Sequence, residues 1–414
     1  MKRFLLAHLI FIVTLSSNSQ TIKVTDSTQI SLITCSPSRS AVYAQFGHSG
    51  MRIYDAMQKI DWMFNWGVFS FNTSNFYLKF ISGYTDYQLG VVETPYFLED
   101  YHRRGSSVTE QVLDLNLTEK NNLIYLLMQN YQPENRVYRY NFVFDNCATR
   151  PGDLIMTAIN SYHEHICFND AKYTPLSYRE LIAQYVGKHT WLMFGIDLVF
   201  GAESDEAPDE DTAMFLPEIM KERFAHSTIV SNVLPERSLI LSQNILVPKS
   251  GEDFNVNARK MSVPFLFFLV LFIARAFLLV KEIKVLRKKY LNLDSVLLIS
   301  VGVIGIIAFF LTFISIHPMV GCNYNLLWLM PLNVIAGILI WYKPMRKFLF
   351  FYFVFYATLI IVAWIIYAAG IQSINYAFIP LILTMMLVAT SWIIRCSRTV
   401  PLKRLRRISK HSKP

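Results

Sequence analysis

Cysteine is scarce in this chain: Cys35, Cys147, Cys167, Cys322 and Cys396 are the only five among 414 residues. Their odd number and wide spacing do not resemble a disulfide framework, although spacing alone leaves a Cys35–Cys167 bridge open. No glycine-rich phosphate loop is present, and no basic, aromatic surface with nucleic-acid motifs, so nucleic acid is not an expected partner. Internal repeats and low-complexity tracts are missing as well. His163 and His165 lie two apart without companion ligands, a weak basis for a metal site. Neither metal nor cofactor is expected.

Apolar residues make up 53% of the chain and concentrate after Met261, so two domains are the natural division. The N-terminus has the parts of a secretory signal. Lys2 and Arg3 precede an apolar stretch, Phe4 to Leu15, and Ser17-Asn18-Ser19 offers a cleavage site before Gln20. No cysteine follows that site, which argues against a lipoprotein anchor; an uncleaved anchor helix is the alternative. Either way the segment after it is exported. Residues 1–19 are read as the signal and 20–258 as a periplasmic catalytic domain. Residues 259–395 are read as a transmembrane domain and 396–414 as a basic cytoplasmic tail.

Five apolar runs, 261–280, 293–316, 326–342, 348–369 and 376–394, are each near the length of a helical span. The first intervening loop (Lys281, Lys284, Arg287, Lys288, Lys289) and the third (Lys343, Arg346, Lys347) are basic, like the tail. The second, His317 to Asn325, and the fourth, Gly370 to Asn375, have no Lys or Arg. That alternation places the soluble domain outside and the tail in the cytoplasm. The net charge of +9 therefore reads as membrane orientation. Arg275 falls within the first run and is expected to snorkel toward headgroups, with a functional charge as the alternative.

The soluble half alternates strands and helices, an α+β pattern. Ile30 to Thr34 reads as a strand. Phe46 to Tyr54 and Asp61 to Val68 read as a hairpin. Glu119 to Asn130 reads as a helix capped by Thr118, and Tyr138 to Phe144 as a strand. Residues 147–160, Tyr178 to Tyr185 and Pro217 to Ala225 read as helices. The acidic stretch Glu203 to Asp211 reads as a solvated loop, and the rest of 214–247 as a connector into the membrane.

Within this frame Cys147 has a chemical context. Asp145-Asn146 turns the chain just before a helix, and Pro151 is tolerated only near a helix start. A thiol there is biased toward thiolate, and the backbone N–H groups of that end can help hold an oxyanion. His48 lies among small residues on the first hairpin strand. If Tyr54 pairs with Asp61, Asn65 lies diagonally across from His48 on the same face and can orient the imidazole. Asp61 is the alternative orienter, since a one-residue slip reverses the facing. The competing interpretation is a buried cysteine and a structural histidine. At the outer lip of the bundle, Ser315, His317, Asn323, Tyr324 and Asn325 gather polar groups.

These stretches together resemble a known family. SLITCSP (31–37), FGHSGMRIYD (46–55), NWGVF (65–69) and YRYNFVFDNCATRPGDLI (138–155) resemble the N-terminal periplasmic domain of Lnb lipoprotein N-acyltransferases. SIHPMVGCNYNLLWLMPLN (315–333) resembles that family's transmembrane domain. The resemblance implies a bacterial inner-membrane enzyme that takes an acyl chain from a phospholipid and transfers it to the α-amine of a diacylated lipoprotein's N-terminal cysteine. It also implies that Cys147 and His48 match the catalytic pair and that His317 sits in the family's His-Pro motif. His317, Asn146, Asn323 and Asn325 are candidate substrate contacts. The order of histidine before cysteine is similar to circularly permuted papain-like folds of the NlpC type. The expected architecture is therefore such a domain followed by a five-helix transmembrane bundle. A membrane-tethered NlpC-type peptidase or amidase acting on cell-wall peptides, and a non-enzymatic partner-binding protein, are the alternatives.

Overall fold

A computed structural model describes residues 22–69, 74–160, 164–169, 176–231, 235–251, 261–285 and 291–397. The expected signal segment, His163, loop residues 286–290 and the tail from 398 lie outside them. The N-terminal half is built on a seven-stranded antiparallel sheet in the order β10-β5-β1-β2-β3-β4-β6. Its strands are β1 (Gln29–Cys35), β2 (His48–Asp55), β3 (Ile60–Val68), β4 (Asp86–Glu93), β5 (Val108–Leu113), β6 (Val137–Arg139) and β10 (Ile240–Val247). A second sheet joins β7 (Glu164–Phe168), β8 (Ser227–Ser231) and β9 (Arg237–Ser238). Helices α1 (Phe76–Ser82), α2 (Thr94–Arg103), α3 (Leu117–Tyr131), α4 (Thr149–Asn160) and α5 (Tyr178–Val186) belong to this half. So do α6 (Trp191–Val199), α7 (Glu210–Ala213) and α8 (Pro217–Ala225). The α+β content is as expected.

Alternation along each strand divides the interior into two layers. Ile30 and Leu32 of β1, Met51 and Ile53 of β2, and Phe64 and Trp66 of β3 pack with Leu123 and Leu127 of α3 and Ile155 and Ile159 of α4. Ile33, Cys35 and Met63 face the other way, against Phe97 of α2. Each fully buried side chain of this size contributes about 1.5–3 kcal/mol. Several sequence expectations need correction. Helix α3 is capped by Asn116, not Thr118: the Asn116 side chain accepts from the Glu119 N–H while Glu119 accepts from the Asn116 N–H. The strand expected to reach Phe144 ends at Arg139. The stretch expected to be a mere connector contains β10, which lengthens the main sheet beside β5. In the expected solvated loop, Ser204 is buried and Asp205 pairs with Arg179. None of the five cysteines is in a disulfide, and Cys396 lies within a helix, not beyond it.

The C-terminal half contains α9 (Val263–Val285), α10 (Leu291–Phe313), α11 (Asn333–Leu339), α12 (Arg346–Ala368) and α13 (Phe378–Ser397). Among the described residues four helices, not five, are long and apolar enough to cross a membrane. The expected span 326–342 is instead a 3-10 turn (Tyr324–Leu327), the Pro331 break and the short α11. Hydropathy measures apolarity, and it does not register that Pro331 and the asparagines interrupt the helix. One neighbouring helix braces this irregular stretch at three points. Tyr367 donates to Asn325 Oδ1 (2.7 Å), Tyr356 to the Trp328 carbonyl (2.7 Å) and Tyr352 to Asn333 Oδ1 (2.8 Å), all from α12. Arg275 does not snorkel. It is fully buried against Asp294 at 2.8 Å, and Trp392 donates to the same carboxylate at 3.0 Å. In a bilayer core a neutralised pair is the affordable form of such a charge.

The two halves dock through α6. Asn323 Nδ2 donates to the Leu198 carbonyl (3.0 Å) and Asn325 Nδ2 to the Asp197 carbonyl (2.9 Å). The Gly201 N–H donates to the Met319 carbonyl (2.9 Å). A Cβ on Gly201 would lie 1.6 Å from the Gly321 carbonyl oxygen, so the approach is backbone on backbone. Beneath it Arg179 pairs with Asp197 (2.5 Å) and Asp205 (2.7 Å), and Asn375 donates to Asp197 (2.7 Å). Arg179→Ala strands two carboxylates at this junction and is expected to cost about 3–5 kcal/mol. Thermal unfolding of the full chain in detergent should show a large drop in Tm for it and none for the surface variant Arg103→Ala.

Candidate active site

His48 opens β2, directly after a glycine with φ of +77° whose Cβ would meet the Cys35 carbonyl at 2.7 Å. Any other residue at position 47 would be strained and would clash, so this turn fixes where the imidazole begins. Opposite β1, His48 is in register with Cys35. Opposite β3 the ladder pairs Tyr54 with Asp61, the expected register, and stops at Gly50–Asn65. His48 and Ser49 therefore have no ladder partner on that side, and β2 and β3 part at this end of the sheet. Across the opening His48 Nε2 lies 2.6 Å from Asn65 Oδ1. Asp61, the alternative, is taken by Arg52 at 2.7 Å. With Asn65 accepting, Nε2 carries a proton and Nδ1 is left for another partner. The ring of Tyr101 runs parallel to the imidazole at 6.3 Å, with Phe97 at 6.5 Å.

That partner is Cys147. The chain leaves β6, makes a tight turn closed by two backbone hydrogen bonds between Asn141 and Asp145, and then enters α4. Pro151 falls in the first turn of α4, where its missing N–H is not needed. Cys147 sits two residues before the helix begins, half-buried, and close enough to His48 for the imidazole's charge to act on its sulfur. The backbone N–H groups of Ser49, outside the sheet ladder to β3, and of Cys147 itself also act to lower the thiol.

Burial by itself would push the Cys147 thiol up, but the positive charge of His48 and these N–H groups outweigh it, and the thiol titrates below its ordinary value. Burial likewise works against the imidazolium; the Cys147 thiolate and the hydrogen bond with Asn65 more than offset it, so His48 is raised. Opposite shifts in two touching groups favour a thiolate–imidazolium pair. Cys35, though close, is different. Burial pushes its thiol well up, and it stays a neutral core residue.

A cleft of about 260 Å³ opens on this cluster, lined by His48, Asn65, Gly47, Tyr43, Val68, Phe69, Phe97, Tyr101 and Arg104 among others. Cys147 is absent from that lining, so the cleft approaches the pair from the imidazole side. The structure thus brings together Cys147, His48 and Asn65. Asn146 adjoins them but is spent on structure. Its Oδ1 accepts from the Ala148 and Thr149 N–H groups, while its Nδ2 donates to the Phe142 and Phe215 carbonyls. It is therefore a helix cap and not a free substrate contact. Asn323 and Asn325 are likewise engaged, both buried in the docking junction described above. His317 lies at the lip, its Nε2 2.8 Å from the Phe80 carbonyl and outside the cleft lining. Sequence reasoning missed Phe97 and Tyr101, although their spacing of one helical turn on α2 could have suggested a shared aromatic face. It also missed the Ser49 N–H, which no side-chain pattern betrays. Among the described residues no cluster of three His, Cys, Asp or Glu is placed to hold a metal.

Residues 18–184 match the family model of the Lnb N-terminal periplasmic domain, and residues 256–399 that of the Lnb transmembrane domain. No curated protein and no solved structure matches the chain. Together with the four long apolar helices, the two matches make this a multi-pass membrane protein with a periplasmic N-terminal domain.

The paired shifts have a direction that alkylation can read. In the native protein the iodoacetamide reactivity of Cys147 is expected to rise with a midpoint below that of an ordinary thiol. His48→Ala removes the charge while burial persists, so its midpoint should move above the native one. Asn65→Ala should leave the thiol reactive but lower the pH at which His48 loses its proton, since that hydrogen bond helps raise it. Equal midpoints in native and His48→Ala proteins, measured by mass spectrometry of the Cys147 peptide, would contradict the pairing.

Proposed function

We propose, since the chain belongs to the Lnb family, that it is a lipoprotein N-acyltransferase working through a thioester on Cys147. The observation that carries this reading is the series Cys147–His48–Asn65, in which His48 Nε2 lies 2.6 Å from Asn65 Oδ1 and the neighbouring thiol and imidazole shift each other, the thiol down and the imidazole up. Such a series supplies nucleophile, base and orienter. The Cys147 thiolate attacks the ester carbonyl carbon of a phospholipid. The oxyanion that forms is met by backbone N–H groups beside the sulfur, those of Ser49 and Cys147. When the C–O bond breaks, His48 gives its proton to the departing lysophospholipid oxygen, leaving an acyl-thioester and a neutral imidazole. The α-amine of a diacylglyceryl-cysteine then attacks the thioester. His48 takes the proton from that nitrogen, an amide forms, and the thiolate is released.

The order of parts supports reading the soluble domain as a permuted papain-like fold of the NlpC type: a sheet strand bears the histidine, and a later helix packed on that sheet is opened by the cysteine. The same reading keeps residues 1–19 as the signal and the basic tail in the cytoplasm, which requires the irregular stretch 324–342, running alongside α12 from Tyr367 to Tyr352, to cross the bilayer together with the four long helices. A peptidase tethered by a single helix would need neither the bundle nor the buried junction that fixes the domain on it. Lipid substrates give both a purpose.

In cells, Cys147→Ala is expected to leave lipoproteins diacylated, and His48→Ala to slow N-acylation by about 10²–10⁴-fold, the usual range for loss of a general acid–base. Mass spectrometry of a lipoprotein N-terminal peptide reads both. Triacylated product at the native level from the Cys147→Ala strain would overturn the assignment.

A further inference from the structure

An exposed apolar surface of the N-terminal domain lies on α1. Of its seven residues, Tyr77 is 75% exposed, Leu78 68%, Phe80 50% and Ile81 43%. A soluble domain seldom leaves so many large apolar groups together in water. The place of this helix explains them. The Ile316 N–H donates to the Ser82 carbonyl (3.1 Å), and His317 Nε2 meets the Phe80 carbonyl (2.8 Å), so α1 is tied to the lip of the bundle just past the end of α10. There the exposed apolar surface of the bundle continues through Phe313, Ile314 and Ile316. Lys79 is the only charged residue on α1 and is exposed, as a side chain reaching for headgroups would be.

From that lip a file of aromatic rings leads inward. Phe80 lies 5.9 Å from Phe76, Phe76 stacks on Phe69 at 6.0 Å, and Phe69 meets Tyr43 edge-on at 6.2 Å. Phe69 and Tyr43 line the cleft that holds His48. We propose that α1 is embedded in the outer leaflet as a wedge, and that the ring file Phe80–Phe76–Phe69 carries a bilayer lipid's acyl chain from the membrane to the His48 cleft. The occupant is a bilayer lipid because the exposed face is apolar throughout, carries one peripheral cation, and is continuous with the lipid-facing surface of the bundle. The proposal rests on the acyl-transfer reading for its purpose, but its test needs no turnover.

Full-length protein carrying Cys147→Ala would be placed in phosphatidylethanolamine–phosphatidylglycerol nanodiscs containing a phospholipid with a diazirine in its acyl chain. After irradiation, adducts would be mapped by peptide mass spectrometry. The expected result is labelling of α1 and of Phe69 alongside α10 and α12, with α1 labelling reduced at least tenfold by Leu78→Glu while α12 labelling persists. Adducts confined to the bundle helices, or α1 labelling unchanged by Leu78→Glu, would overturn the proposal and leave the chemistry of Cys147 untouched.

Discussion

The contact between Cys147 and His48 is the constraint around which the periplasmic domain is arranged. It joins residues from two different layers: His48 from a sheet strand, Cys147 from the start of a helix packed on the opposite face. The two can meet only because β2 and β3 stop pairing at Gly50–Asn65. That same parting leaves Ser49 outside the ladder to β3, and its N–H helps lower the thiol. A continuous sheet would bury both groups apart, each satisfied by ordinary hydrogen bonds. Much of the surrounding structure holds this one opening in place. Gly47 sets the start of the strand, Asn146 caps the helix, and the Asp145–Arg150 pair at 2.5 Å braces the turn between them.

The junction with the bundle has an equivalent role at larger scale. Buried asparagines and the Arg179–Asp197–Asp205 cluster fix the domain on its membrane anchor. Two ions and their partners removed from water are costly unless each is fully paired. Their presence here indicates that a defined orientation is worth that cost. A domain that takes substrate from a bilayer has reason to hold one face toward it, whereas a flexible tether would serve a soluble substrate equally well.

The features legible in the sequence were those encoded by neighbours in the chain. The hairpin register followed from alternation, so Asn65 was found; the helix opened by Asp145-Asn146-Cys147 followed from turn chemistry and Pro151. Features set by distant partners were not legible. The strand at 240–247 has a mixed pattern and becomes a strand because β5 offers it an edge. Arg275 looked like a snorkelling residue because Asp294, its partner, lies in another helix. The run 326–342 passed as a span because its polar atoms are satisfied by tyrosines of α12, which hydropathy cannot see. Asn146, Asn323 and Asn325 were sensible substrate contacts by type, yet packing had already used their hydrogen-bonding groups.

The central claim, that a thiolate at Cys147 takes an acyl chain from a phospholipid, is tested most directly by looking for the chain on the sulfur. Purified protein would be incubated with phospholipid in the absence of any acceptor and its intact mass recorded before and after neutral hydroxylamine. The expected result is a single acyl mass on the Cys147 peptide, removed by hydroxylamine and absent from His48→Ala. An unmodified Cys147 after incubation with phospholipid alone, or an acyl group carried on a different residue, would contradict it.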